Sequence, residues 1–180
     1  MLTITIPATE EFDENTGEFV YTREQTLQLE HSLISISKWE SKWCKPFLAK
    51  QDKTSEEVID YIKCMTLNKG ISDDVYGCLT QANLNKINEY IGSPMTATTF
   101  TEDKNAKQNR EIITSELVYY WMISLQIPFE CQKWHINRLL TLIRVCNVKN
   151  APPKKMSKRD IMSRNAALNA ARRKQMNTKG

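Results

Sequence analysis

The chain has 180 residues, 41% of them apolar, which suits one domain with an appendage and excludes a wholly disordered protein. Its formal net charge of +4 hides a polarity between the ends: residues 1–24 carry six acids and one base, whereas residues 149–180 carry ten bases and one acid. No stretch approaches the ~20 apolar residues of a membrane span, and the opening Met-Leu-Thr-Ile-Thr-Ile lacks the basic and apolar regions of a signal peptide. The protein is therefore expected to stay where it is made. Five cysteines, an odd number without tight spacing, argue for reduced and mostly buried thiols instead of a disulfide framework.

Leu2 to Ile6 alternates aliphatic residues with threonines, a strand signal that Pro7 ends. The acidic stretch that follows, with Asn15 and Gly17, reads as a loop. Glu18 to Tyr21 supplies a second strand. Thr26 to His31 alternates again, with Leu27, Leu29 and His31 on one face. A small antiparallel meander is the expectation.

Ser32 to Trp43 places Leu33, Ile36, Trp39 and Trp43 at helical steps. A strand remains the alternative, because Leu27 to Ile36 also reads as one alternating run. Thr54 or Ser55 caps the next helix, with Val58, Ile59, Ile62 and Met65 as its apolar stripe. A short helix opens after Ser72 and carries Val75, Tyr76 and Leu79. Another starts at Asn83, turns Leu84, Ile87 and Ile91 inward, and ends with Gly92 at the position after the cap.

Thr96 to Thr101 is a candidate strand, Glu102 to Asn109 a loop, and Glu111 to Ile113 a candidate partner strand. Ser115-Glu116 then opens a strongly apolar helix containing Leu117, Val118, Tyr120, Trp121, Ile123 and Leu125. Pro128 separates it from a second helix marked by Trp134, Arg138, Leu139, Leu142, Ile143 and Cys146. These two are expected to anchor the core as an antiparallel pair.

Composition changes at Asn150. Asn150 to Lys155 forms a stiff Pro-Pro linker, and Ser157 with Asp160 has the form of a helix cap. The run to Gln175 is rich in alanine, arginine and lysine but thin in large apolar residues, so its order is expected to depend on a partner. Two segments follow: a compact body, 1–149, and a linker with a basic helical tail, 150–180. The fold class is α+β, a small antiparallel β-meander packed against several helices, with the basic helical tail appended.

Little in the chain points to catalysis. Neither a Walker A loop, GxGxxG, HExxH nor GxSxG occurs. The two histidines lie far apart in sequence. His31, on an apolar strand face, reads as a core histidine bonded to a neighbour, with a catalytic base as the alternative. Cys131 and His135 are spaced to share a helix face, which gives half a zinc site at most. The aromatic residues Trp39, Trp43, Tyr120, Trp121 and Trp134 read as core packing, with a base-stacking platform as the alternative. No catalytic residue, metal or cofactor is expected. The tail is the candidate active element: Lys154, Lys155, Lys158, Arg159, Arg164, Arg172, Arg173 and Lys174 form a dense positive segment suited to an acidic protein surface or to nucleic-acid phosphates.

Several segments carry a resemblance when read together. They are Leu29 to Leu33 running into Ser37-Lys38-Trp39-Glu40, then Glu57 to Met65, Ile113 to Glu116, Tyr119 to Met122, and the Pro-Pro-Lys-Lys linker with Arg164 to Arg173. This set resembles small structural or morphogenesis proteins of long-tailed bacteriophages (siphophages), often assigned as tail assembly chaperones. The resemblance implies a non-enzymatic protein that coats the helical tape-measure protein, helps recruit tail-tube subunits and then leaves. It also implies host cytoplasm as the place of action, while the acidic N-terminal and basic C-terminal ends would permit head-to-tail self-association of copies and the composition leads to no expected membrane partner. A virion component, such as a head–tail connector or minor tail protein, is the first alternative, and a nucleic-acid-binding protein using the tail is the second. The resemblance transfers no individual functional residue.

Overall fold

In the computed structural model of the chain, residues 1–13, 18–100, 111–152 and 157–178 are described. They divide into two compact units, Met1–Asn147 and Val148–Gly180.

The first unit is α+β. Strands β1 (Leu2–Ile6), β2 (Thr9–Asp13), β3 (Glu18–Thr22) and β4 (Gln25–Leu29) pair as β1 with β4 and β2 with β3, all antiparallel. Leu2 faces Leu29 and Ile6 faces Gln25; further along, Thr9 faces Thr22 and Asp13 faces Glu18. Both pairs keep one register, so the four strands form a single nested hairpin rather than neighbours in sequence order. The break falls at Pro7, which has no N–H to offer a ladder. The acidic stretch expected as a loop is therefore partly strand, since β2 holds Glu10, Glu11 and Asp13. Residues 14–17 lie outside the described ones. Period-two alternation works as expected in β1 and β4: Ile4, Ile6, Leu27 and Leu29 are buried, while Thr3, Thr5 and Gln28 are exposed.

Ser32 to Trp43 is resolved as helix α1 (Leu33–Trp43). Ser32 caps it: the Ser35 amide donates to Ser32 Oγ at 3.3 Å, and the Ser32 amide donates to Ser35 Oγ at 3.0 Å. Leu33, Ile36 and Trp39 are fully enclosed. Cys44 ends the helix in the left-handed region at φ 51°. Helix α2 (Ser55–Met65) starts at Thr54 with a capping box completed by Glu57. Its buried face differs from the expected stripe. Tyr61, Ile62 and Met65 are inside together with Glu57 and Asp60, whereas Val58 stays exposed.

Helix α3 (Asp74–Gly77) is a single turn that buries Val75 and Tyr76. Helix α4 (Gln81–Gly92) begins two residues before Asn83, under a Thr80 cap. Gly92 closes its last turn without the left-handed backbone expected for it; among the described glycines only Gly70 has positive φ. The expected strands at 96–101 and 111–113 are not formed in their described residues. Phe100 instead lies under the Arg144 guanidinium, 4.1 Å from the ring centroid. The expected loop 102–109 and Thr101 fall outside the described residues.

Helix α5 (Ser115–Ser124) buries Val118 and Met122 but leaves Tyr120 and Ile123 exposed. A 3-10 turn, Phe129–Lys133, leads into α6 (Ile136–Asn150), which buries Ile136, Leu139 and Ile143. The expected pairing of these two long helices does not organise the core. The central element is α1, which packs against α2, α5 and the 3-10 turn, while α4 packs against β1.

The second unit holds helix α7 (Lys158–Met176). The Asp160 amide donates to Ser157 Oγ at 3.1 Å, and the Ser157 hydroxyl donates to Asp160 Oδ2 at 2.6 Å. Asn177 closes the helix at φ 52°. No residue of α7 is buried.

Candidate functional site

Two features of the surface and one of the interior carry chemistry. The first is the basic helix. Of the eight cations expected to touch a partner, Lys158, Arg159, Arg164, Arg172, Arg173 and Lys174 lie on α7, and all are exposed. Lys154 and Lys155 lie outside the described residues. The cations gather towards the two ends of the helix, and between Arg164 and Arg172 the sequence is Asn-Ala-Ala-Leu-Asn-Ala-Ala. Ile161 and Leu168, one heptad apart, share one face of the helix. Arg172 to Lys174 complement the negative end of the helix dipole, whereas Lys158 and Arg159 oppose its positive end. Asp160, in the same first turn, supplies an acid there.

The second feature is a groove between α2 and α4 with a volume of about 320 Å³. Val58, Tyr61 and Ile62 of α2 face Leu84, Ile87 and Ile91 of α4 across it. Neither helix closes the gap, because each is fixed elsewhere. Helix α2 packs on α1, and the Trp39 indole N–H donates to the Glu57 carbonyl at 2.9 Å. Helix α4 is held by Asn83, whose side chain donates to the Thr5 carbonyl at 3.3 Å, and by Asn137, which donates to the Ile91 and Ser93 carbonyls at 3.2 and 2.8 Å. Lys53 stands at the rim, its ammonium 4.5 Å from the centroid of the Phe47 ring. Sequence reading placed Val58, Leu84 and Ile91 in the core. Nothing in their spacing distinguishes a filled seam from an open one.

The interior feature is a polar cluster that brings both histidines together. His31 and His135, 2% and 4% exposed, lie edge to face with ring centroids 4.9 Å apart. His31 Nδ1 is hydrogen-bonded to the Tyr61 hydroxyl, which also meets Ser35 Oγ at 3.4 Å. The tautomer of His135 follows from its partners. Its Nε2–H donates to the Tyr90 carbonyl at 3.0 Å, and its Nδ1 accepts the Asn137 amide at 3.3 Å. Burial, aided by the neighbouring His135, pushes His31 down to about 3. Burial also lowers His135, and the Tyr90 carbonyl and Glu30 offset this only in part. Burial raises the Tyr61 hydroxyl well above its ordinary value.

These groups are packed into the wall of the core, and every buried side-chain polar atom among the described residues has a hydrogen-bond partner. The arrangement holds β4, α1, α2 and α6 to one another. Cys131 and His135 do not share a helix face: Cys131 belongs to the 3-10 turn, and Trp134 is extended between that turn and α6. No group of three or more metal-ligating side chains occurs among the described residues.

The remaining candidates resolve individually. Trp39 is enclosed, and Trp43, stacked on it at 6.2 Å, donates its indole N–H to Asp60 Oδ2 at 2.9 Å. Burial works to raise the Asp60 carboxyl, but hydrogen bonds from Lys42 and Trp43 outweigh it and hold the group below the usual carboxylate range. Tyr120 is exposed, and Trp134 lies 4.1 Å from the Arg138 guanidinium. Of the five cysteines Cys131 alone is buried, and Cys44 is exposed. No helix among the described residues is long and apolar enough to cross a membrane. Comparison with protein-family models, with curated proteins and with solved structures finds no match to the chain.

Proposed function

We propose that this protein is a non-catalytic binding protein that engages another protein through α7. The observation that supports this reading is a 19-residue helix carrying six cations and burying none of its own residues. In proteins most helical stability comes from packing an apolar face, and α7 packs none, so docking is what would supply most of its order. The first unit, by contrast, has a closed core and a satisfied polar interior.

The sequence resemblance supplies a setting for that activity. In it, the protein is a tail assembly chaperone that binds the phage tape-measure protein or tail-tube subunits in the host cytoplasm. The test uses the full chain and a charge-reversed form, Arg159→Glu with Arg172→Glu and Arg173→Glu. Each is co-expressed with a long helical phage tape-measure protein. Soluble co-purification with the parent chain, lost on charge reversal, is the expected result. Equal co-purification by both forms removes α7 as the contact. Abundant full-length protein in purified particles, seen by mass spectrometry, replaces the chaperone reading with a virion component.

The two cationic ends of α7 also favour a nucleic-acid reading, which the same variants test. Binding to duplex DNA with a log–log salt slope of about −0.9 per phosphate contact would support it. Absence of binding at low salt would remove it.

A further inference from the structure

We infer that α4 is a hinged lid on the first unit, held shut by a polar clasp at its C-terminal end, and that it opens on its own while the rest of the core stays folded. Burial argues first. Helix α4 has 12 residues and buries only Asn83 and Ile87, whereas α2, with 11, buries five. Of the two, only Ile87 is apolar, so α4 draws little hydrophobic stabilisation from the core. An element with few buried apolar contacts belongs to the low-stability end of a fold. Its apolar face is not zipped onto α2 either, since the groove of about 320 Å³ lies between them.

Polar bonds do the holding, and they are unevenly placed. Near the start of α4 the Asn83 side chain donates to the Thr5 carbonyl at 3.3 Å. Among the described residues, four side-chain bonds gather at the other end. The Tyr90 hydroxyl donates to Glu30 Oε1 at 2.7 Å. The His135 Nε2–H donates to the Tyr90 carbonyl at 3.0 Å, and the Asn137 side chain donates to the Ile91 and Ser93 carbonyls at 3.2 and 2.8 Å. These carbonyls lie where the ladder of α4 runs out, and the start of α6 supplies their donors. A clasp of this kind can be exchanged bond for bond with water at small net cost. A packed apolar face cannot.

The backbone offers the two ends that a lid needs. After the clasp, beyond Pro94, Met95 stands at φ 48°, in the left-handed region that L residues seldom occupy. Opening the clasp frees Ser93 and lets that conformation relax. Before α4, residues 78–80 carry neither helix nor strand and form the hinge side. With the lid shut, Tyr61 and Ile62 on the α2 wall are 3% and 1% exposed; with it open they face water. The inference stands apart from the reading of α7, because no residue of α7 takes part.

Native-state hydrogen exchange on the full chain tests it, in urea concentrations well below the unfolding transition. After correction for intrinsic rates, the amides of residues 85–92 in α4 are expected to exchange about tenfold or more faster than those of residues 37–43 in α1. The α4 rates should stay nearly flat as urea is added while the α1 rates climb, because opening the lid exposes less surface than unfolding the unit. Asn137→Ala removes two clasp bonds and should speed α4 exchange about fivefold or more. Val118→Ala, which thins the core at α5, should speed exchange in α1 and leave α4 within about twofold of the parent, since Val118 stays in place when the lid opens. Equal protection of α4 and α1 with the same urea dependence would overturn the inference, as α4 would then open only with the whole unit. So would an unchanged α4 rate in the Asn137→Ala protein, or equal acceleration of both helices in the Val118→Ala protein. Should circular dichroism show that either variant fails to fold, the urea series on the parent chain decides by itself.

Discussion

Helices α1 and α7 begin in the same way and end in opposite circumstances. Each follows a serine whose hydroxyl oxygen accepts an amide from the first turn, Ser32 in one and Ser157 in the other. Helix α1 has 11 residues and buries five of them; α7 has 19 and buries none. A cap contributes about 1 kcal/mol and fixes where a helix starts. It does not hold the helix in place. What holds α1 is the enclosure of Leu33, Ile36 and Trp39, each worth about 1.5–3 kcal/mol on burial. Helix α7 has no such anchor, and its six cations are all exposed.

The sharpest way to break this comparison is to remove the anchor. Trp39→Ala deletes a fully enclosed indole and leaves the Glu57 carbonyl without its donor at 2.9 Å. The expected loss is about 3–5 kcal/mol, measured by urea denaturation. Leu168→Ala in α7 should change the same measurement by less than about 0.5 kcal/mol. Comparable losses in the two would show that α7 is part of the core.

Glu40→Ala ranks next. The Glu40 carboxylate accepts the Phe47 amide at 2.8 Å and the Ser115 amide at 2.7 Å. One buried side chain thereby ties α1 to the turn after it and to the start of α5. Its removal leaves two enclosed N–H groups without an acceptor, with an expected cost of about 2–4 kcal/mol. Glu40→Gln, which keeps one acceptor oxygen, should recover part of that loss.

How legible all this was from sequence depends on whether the deciding contact is local. The α1 stripe, the Ser157 cap and the alternation of β1 and β4 rest on neighbours within one turn or one strand and were legible, although the Ser32 cap was not singled out and a strand stayed open for the start of α1. The nested hairpin could not be read, because its register rests on pairs as distant in sequence as Leu2 and Leu29. The threonine-rich segment at 96–101 has strand propensity but finds no strand to pair with in its described part, so propensity alone misleads. On α2, Glu57 and Asp60 look like a solvated face. They are buried because Lys45, Lys42 and Trp43, from another helix and the turn beyond it, meet them. The α2–α4 groove was invisible for the same reason: an apolar stripe does not reveal whether its far side is covered. The basic character of α7 was legible because it is a matter of composition.

Acidification probes the interior of the first unit alone. His31 and His135 are buried neutral, with folded-state values below those of an unfolded chain. Between about pH 6.5 and the lower folded values the unfolded state binds more protons. Stability from these groups is therefore fully present above about pH 6.5 and is lost as pH falls towards 3, the value to which His31 is lowered. The slope is at most about 1.4 kcal/mol per pH unit for each histidine. Protonating His135 also turns Nδ1 from an acceptor of the Asn137 amide into a donor facing it. Urea midpoints measured between pH 7 and 5, above the carboxylate range, should fall steadily. A flat profile would mean that the histidines are not enclosed as described. The helical signal of α7, which contains no histidine, should not follow that transition.

The smallest expected effects lie in α7, and they are the most discriminating. Ser157→Ala removes the acceptor of the Asp160 amide, at a cost of about 1 kcal/mol confined to the helix. Circular dichroism should show lower helicity with no shift of the urea midpoint. Removing residues 151–180 goes further, since the cut falls after the last residue of α6 and leaves its buried Ile136, Leu139 and Ile143 in place. No residue of α7 is buried, so its loss is expected to withdraw little area from the folding transition. The truncated chain should keep a single cooperative transition with stability within about 0.5 kcal/mol of the parent. Its m-value should fall only slightly, because m tracks the surface exposed on unfolding. Loss of cooperativity on truncation would mean that residues beyond Asn150 complete the core, and α7 would then have to be read as a structural element of the first unit.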